Sequence, residues 1–197
     1  MRTLLTLALA SVSLFAETTT WKIDQNHSAA SFGVKHMMVS TVRGTMGKVT
    51  GTVVCDSADV SKSAVNAEID VTGLSTQNEN RDKHLKSGDF FDVEKFPKMT
   101  FQSTKIWKAG SGLKMAGNLT MHGVTKEVVF DVDGPSPSIA GQGGSKRSGA
   151  SATAKINRKD FGLTWNRALE AGGVTVGDEV AITLDVEMTS GGPAAKQ

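Results

Sequence analysis

Apolar and polar residues alternate along most of this chain, and the alternation sets its elements. Val65, Ala67, Ile69 and Val71 are separated by Asn66, Glu68 and Asp70. Leu113, Met115, Gly117, Leu119 and Met121 are spaced the same way, as are Val128, Phe130 and Val132, and Val180, Ile182, Leu184, Val186 and Met188. Eight segments carry such a pattern, roughly 21–36, 42–56, 63–72, 98–107, 112–121, 124–133, 149–157 and 178–189. Neighbouring side chains on a strand face opposite ways, so each predicted strand has one dry and one wet face. Short connections, as at Ala109–Gly112 and His122-Gly123, suit antiparallel hairpins. One-sided sheets of this kind close as sandwiches or barrels, and period alone does not separate the two.

Two stretches interrupt the meander. Residues 77–87 favour a short helix, with Ser75 or Thr76 as its cap, and residues 165–171 predict one helical turn before Gly172-Gly173. Residues 135–148 are rich in Gly, Ser and Pro and read as a mobile loop, and residues 191–197 as a disordered tail. At the start, Arg2 precedes an apolar run over Leu4–Phe15, with Ala16 as a cleavage position. Residues 1–16 therefore read as a secretory signal peptide, too short to span a bilayer. An alternative cleavage after Ala8-Leu9-Ala10 leaves a very short apolar region. Residues 17–190 read as a single domain, without internal repeats or a linker.

Charge and cysteine content narrow the picture. The formal net charge is +2, with lysines and acids interspersed, which gives no reason to expect a nucleic-acid partner. No later run is apolar for long enough to span a membrane, so a soluble, exported protein without stable membrane insertion is expected. Cys55 is the only cysteine, which excludes an intramolecular disulfide and favours a thiol hidden in a strand.

The polar residues do not assemble a catalytic pattern. There is no GxSxG elbow and no phosphate loop, and Gly141–Gly144 lies in a low-complexity stretch without a strand–turn–helix context. Tyrosine is absent. The four histidines, His27, His36, His84 and His122, show no ligand-pair spacing, so neither a metal site nor an enzyme is expected. The inward positions carry Phe32, Val34, Phe101, Met115, Leu119, Phe130, Ile182 and Leu184, interleaved with small residues such as Ala30, Ala67 and Ala152. An eight-stranded barrel can be filled by its own side chains or hold one ligand. The residues alone leave both readings open and lean towards the filled core. Phe90, Phe91 and Phe96 predict either a plug at one barrel end or a pocket wall, and Phe161 and Trp165 share that ambiguity. Arg158 and Asp160 are placed to tie the second insertion down.

Several motifs in order resemble one family. They are IDQNHSAASFGVKHM over residues 23–37, NRDKHLKSGDFFDVEKFPKMTFQS over 80–103, GNLTMHGVTKEVVF over 117–130 and INRKDFGLTWN from residue 156, closed by VGDEVAITLDVE. Together they resemble the YceI family of secreted lipid- or polyisoprenoid-binding proteins, and they cover nearly the whole chain after its first twenty residues. Trp21, where the family usually has Tyr, Cys55 and the 135–148 loop are departures. The resemblance implies an all-β, lipocalin-like barrel of eight antiparallel strands with one or two short helical insertions, enclosing an elongated apolar cavity. It implies a ligand lining of Phe32, Val34, His36, Phe90, Phe91, Phe101, Met115, Leu119, Phe130 and Trp165. His27, Arg81, Asp82, His84 and Arg158 would form a polar mouth or order the loops. The implied function is carriage of an amphiphilic lipid with a long apolar tail, such as a prenyl quinone or prenyl phosphate. A fatty acid or fatty amide carrier, and a stress-related interaction module with a filled barrel, are the alternatives. No cofactor is expected beyond the lipid, the expected compartment is periplasmic or extracellular, and a homodimer is left open.

Overall fold

The alternating stretches form antiparallel strands that curl until the last meets the first. The computed structural model describes residues 18–170 and 172–191, so the predicted signal peptide and nearly all of the predicted tail lie outside the described residues. The strands are β1 (Thr18–Ile23), β2 (Ala29–His36), β3 (Ser40–Thr45), β4 (Val49–Asp56), β5 (Ala64–Asp70), β6 (Lys98–Ala109), β7 (Gly112–Met121), β8 (Val124–Asp133), β9 (Ile139–Ala140), β10 (Lys146–Asn157) and β11 (Val176–Ser190). Eight of them close a barrel in the order β11-β1-β4-β5-β6-β7-β8-β10 and back to β11. β2 continues along the β11 edge that β1 leaves, and β3 pairs with β2.

The predicted strands 21–36 and 42–56 are thus each two strands with a break. The first break is an Asx turn: the Asp24 carboxylate accepts from Asn26 N–H at 3.0 Å and pairs with His27 Nδ1 at 2.9 Å. The second lies at Gly47, whose N–H donates to Asp70 O at 2.8 Å. A Cβ on Gly73 would sit 2.6 Å from Gly47 Cα, so two backbones touch there with no room for a side chain.

The insertion between β5 and β6 carries the one α-helix among the described residues, α1 (Glu79–Lys86). Its cap is Asn78, whose side chain accepts from Arg81 N–H at 3.0 Å, rather than the expected Ser75 or Thr76. Residues 165–170 form no helical turn. Asn166 bonds both the N–H and the C=O of Val176, at 3.0 and 2.7 Å, which holds this stretch as a closed loop in place of a helix. The predicted 135–148 loop contains β9 and a 3₁₀ turn at 142–144, and β10 begins inside it.

The core is unevenly distributed. Val71, Leu74, Phe90, Phe91, Phe161 and Leu163 are buried together and fill the barrel end under the insertion. The opposite end is not filled.

Candidate functional site

The unfilled end is a chamber of about 480 Å³ inside the barrel. Inward residues of the closing strands wall it: Trp21 from β1, Val53 and Cys55 from β4, Phe101 from β6, Met115 from β7 and Val186 from β11. Its volume exists because Ala67, Ala150 and Ala152 stand where a larger side chain would reach across. The filled-core leaning drawn from the residues alone is therefore overturned. A second chamber of about 110 Å³ lies under the insertion, among Phe32, Val34, Phe90, Phe91, Leu119 and Ile182. Phe130 and Leu184 line both chambers and form the wall between them.

The aromatic positions follow from the backbone beneath them. Phe101 meets the Phe130 ring edge-on, with centroids 5.3 Å apart at 85°. The Phe101 ring lies over Gly117, where a Cβ would come within 2.7 Å of it. Phe32 likewise covers Gly44, at 2.6 Å from a Cβ built there. Glycine at these two positions lets the rings lie flat on the strands.

Of the residues expected to contact a ligand, Phe101 and Met115 line the larger chamber, Phe32, Val34, Phe90, Phe91 and Leu119 the smaller, and Phe130 both. His36 and Trp165 line neither. His36 shares the parity of Phe32 and Val34 but stands at the last position of β2, paired with Ser40 and Val176. Trp165 backs the plug from outside: it packs on Phe90 at 5.2 Å and on His84 at 4.8 Å. Phe96 leaves the plug altogether and meets the His122 ring edge-on, with centroids 4.9 Å apart.

Of the polar residues, Arg158 lines the smaller chamber and the rest order loops. Arg81 Nε donates to Thr76 Oγ1 at 2.7 Å and Nη2 to Thr76 O at 3.0 Å. Asp82 accepts from the N–H and hydroxyl of the same residue, at 2.8 and 2.5 Å. The Thr76 hydroxyl holds the Asp82 carboxyl below the usual carboxylate range. His84 Nε2 pairs with Asp89 at 2.9 Å. Arg158 is buried, and its guanidinium donates to the carbonyls of Gly177, Leu163 and Val176. Burial pulls its affinity for its proton down, against the pull of Asp178. The Arg158–Asp178 contact, at 3.5 Å, is an ion pair without hydrogen-bond geometry, and it leaves Asp178 Oδ1 buried without a hydrogen-bond donor.

Sequence reasoning missed the chamber residues Trp21, Val53, Val186 and Met188, although all lie on alternating runs that pointed to them. Cys55 is half-buried in the chamber wall, and burial raises its thiol pKa. A surface cluster also escaped the sequence. Asp24, His27 and Glu187 bring possible ligand atoms within 4.8 Å of one another. Arg147 Nη1 already pairs with both carboxylates, so a guanidinium occupies the place a metal ion would take. A concavity of about 610 Å³ on the outer face is larger than either chamber, but Lys35, Arg43, Lys155 and Glu179 border it, and it lacks the continuous apolar wall that a lipid tail requires.

Known proteins share this architecture. The YceI-like domain family model matches residues 21–188. A UPF0312 protein of Staphylococcus aureus is 39% identical over 171 residues, covering 87% of this chain and 98% of that protein. The crystal structure of Burkholderia cenocepacia BcnA superposes with a TM-score of 0.70 at 22% identity, over 84% of this chain and 98% of that one. A polyisoprenoid binding domain from Saccharophagus degradans, implicated in plant cell wall breakdown, superposes with a TM-score of 0.61 at 13% identity, over 88% of this chain and 99% of that one.

Proposed function

Because the chain belongs to the YceI-like family, we propose that it binds an amphiphilic lipid with a long apolar tail inside its barrel and carries it through an aqueous compartment. A polyisoprenoid, such as a prenyl quinone or prenyl phosphate, is the leading cargo. The observation that carries this reading is the pair of chambers, about 480 and 110 Å³, which share Phe130 and Leu184 as lining residues. An apolar tail costs about 0.8 kcal/mol for each CH₂ left in water, so it does not travel unescorted. The chamber's wall is mostly apolar, and we read the protein as one that holds its ligand without converting it. The polyisoprenoid-binding neighbour of the same fold supports the choice of cargo. A filled-barrel interaction module does not fit an open chamber. Export is part of the proposal, supported by the signal-like pattern of residues 1–16.

The test is native mass spectrometry of the protein from an exported fraction, with extraction and identification of any bound lipid. One prenyl or acyl lipid per protein is expected, on a chain whose N-terminus has lost the leader. Ala152→Phe, which fills the larger chamber, should weaken retention about tenfold for every two methylenes it excludes, at about 0.8 kcal/mol each. A folded Ala152→Phe variant that retains lipid as the parent does would remove the chamber from the mechanism.

A further inference from the structure

We propose that the larger chamber opens at a serine-lined end and accepts there an uncharged head group, a hydroxyl, quinone or amide, in preference to a phosphate. This rests on the carriage reading above and assigns the chemistry of the cargo's polar end. Ser57, Ser63, Ser136, Ser138, Ser148 and Ser151 all line the chamber. Ser57, Ser136 and Ser138 are exposed, which marks this side as the one facing solvent. The polar mouth is therefore formed by the turn after β4 and the segment after β8, and the insertion that carries Arg81 and His84 lines no part of it.

The charges at this mouth decide what enters. Among the described residues no lysine, arginine or histidine lines the larger chamber, and Asp56 is the one ionisable acid or base there besides Cys55. The Asp56 carboxylate accepts from the N–H groups of Ala58 and Asp59, at 3.0 and 2.8 Å. The surface groove that shares Ser136, Ser148 and Ser151 with the chamber does contain Arg147 and His27. Arg147 is already paired with Glu187 and Asp24, and His27 with Asp24. Arg158 lines only the far, smaller chamber and is committed to backbone carbonyls.

A phosphate brought to this mouth loses water and meets no cation on the described lining, and the nearby Lys62 is exposed and paired with Asp59 at 3.7 Å; an unpaired charge in a partly dry site is strongly disfavoured. Asp56 adds repulsion. A neutral head meets a ring of hydroxyls, each with one donor and two acceptor positions. Part of that capacity is used within the mouth: Ser148 Oγ donates to Ser136 O at 2.8 Å, and Ser136 Oγ accepts from Gly149 N–H at 3.1 Å. Ser63 Oγ likewise accepts from Asp56 N–H at 3.0 Å, and these bonds fix the rim on which a carbonyl or alcohol would find hydroxyl partners.

Three probes with one tail test this: geranylgeraniol, its diphosphate, and a quinone bearing the same tail. Occupancy is read by native mass spectrometry, and location by protection of Cys55, the chain's single cysteine and a wall residue of this chamber, from a maleimide. The alcohol and the quinone should bind at least about tenfold more tightly than the diphosphate and should slow Cys55 alkylation, since a charged head stays unpaired. Ser138→Lys, on the exposed rim, should narrow the gap by supplying a cation. Diphosphate binding equal to or tighter than that of the alcohol in the unaltered protein overturns the head-group assignment and leaves carriage standing. Bound alcohol without Cys55 protection overturns the location. Failure of all three probes to bind overturns the carriage reading itself.

Discussion

At Asp82 a single proton couples the helix to the segment that leads into it. The Thr76 hydroxyl and N–H both donate to its carboxylate, and Arg81 grips the same threonine from the other side. The hydroxyl bond lowers the Asp82 pKa, so the folded protein binds this proton less readily than the unfolded chain does. The stabilisation is complete above the unfolded carboxylate value, about 3.9, and is lost as pH falls through the depressed folded value. Asp82→Asn keeps an acceptor and removes the charge. Urea unfolding across acid pH should show a lower midpoint for the variant near neutrality and a shallower loss of stability on the acid side. Superimposable acid limbs would mean that Asp82 does not couple pH to folding. The family resemblance marked Arg81, Asp82 and His84 as a polar group of the mouth or of loop ordering, without choosing between the two. The partner of Arg81 and Asp82 was not legible, because Thr76 was read as a helix cap and becomes a ligand for two side chains only once the helix starts after Asn78.

The hairpin joining β2 to β3 turns through Met37 and Met38, with φ of 49° and 62°. Gly suits such positions because it has no Cβ to crowd the following carbonyl, and Asn because its short side chain hydrogen-bonds locally; for other residues the cost is roughly 1–2 kcal/mol each. Met37, Met38 and Val39 are also exposed. The pair Met37→Asn and Met38→Gly should therefore raise stability by about 1 kcal/mol or more, read as a higher urea midpoint. Unchanged or lower stability would show that contacts of the methionines, such as Met38 against Gly173, outweigh the strain. At this scale the strands were legible because alternation is a local property with one dominant period. Their interruptions were not. The break at Gly47 depends on Gly73, far along the chain, and the missing helical turn at 165–170 depends on the reach of Asn166 to Val176. Long-range contacts of this kind override local propensity without leaving a local pattern.

Across the whole molecule, the barrel divides stability from capacity. One end is packed around Phe161 and Leu74, each 1% exposed, and the other is hollow. The inward faces were legible from sequence, but whether they meet depends on which residues stand around the same space, and Ala67 and Ala152 come to line one chamber only after closure. Phe130 sits at the division, with a chamber on either side and Phe101 against its edge. Phe130→Ala should join the chambers and shift retention towards longer prenyl quinones in native mass spectra of a mixed-length set. Removing a buried phenylalanine costs about 3–5 kcal/mol, and this site belongs near the lower figure because part of its surroundings is already empty. Phe161→Ala, in the packed end, should cost at least as much while leaving the length preference where it was. If both variants retain the same tail lengths as the parent, Phe130 is not the divider and the two chambers do not act as one tube. If only Phe130→Ala changes the preference, tail length is set by one side chain in a barrel whose stability is supplied from the other end.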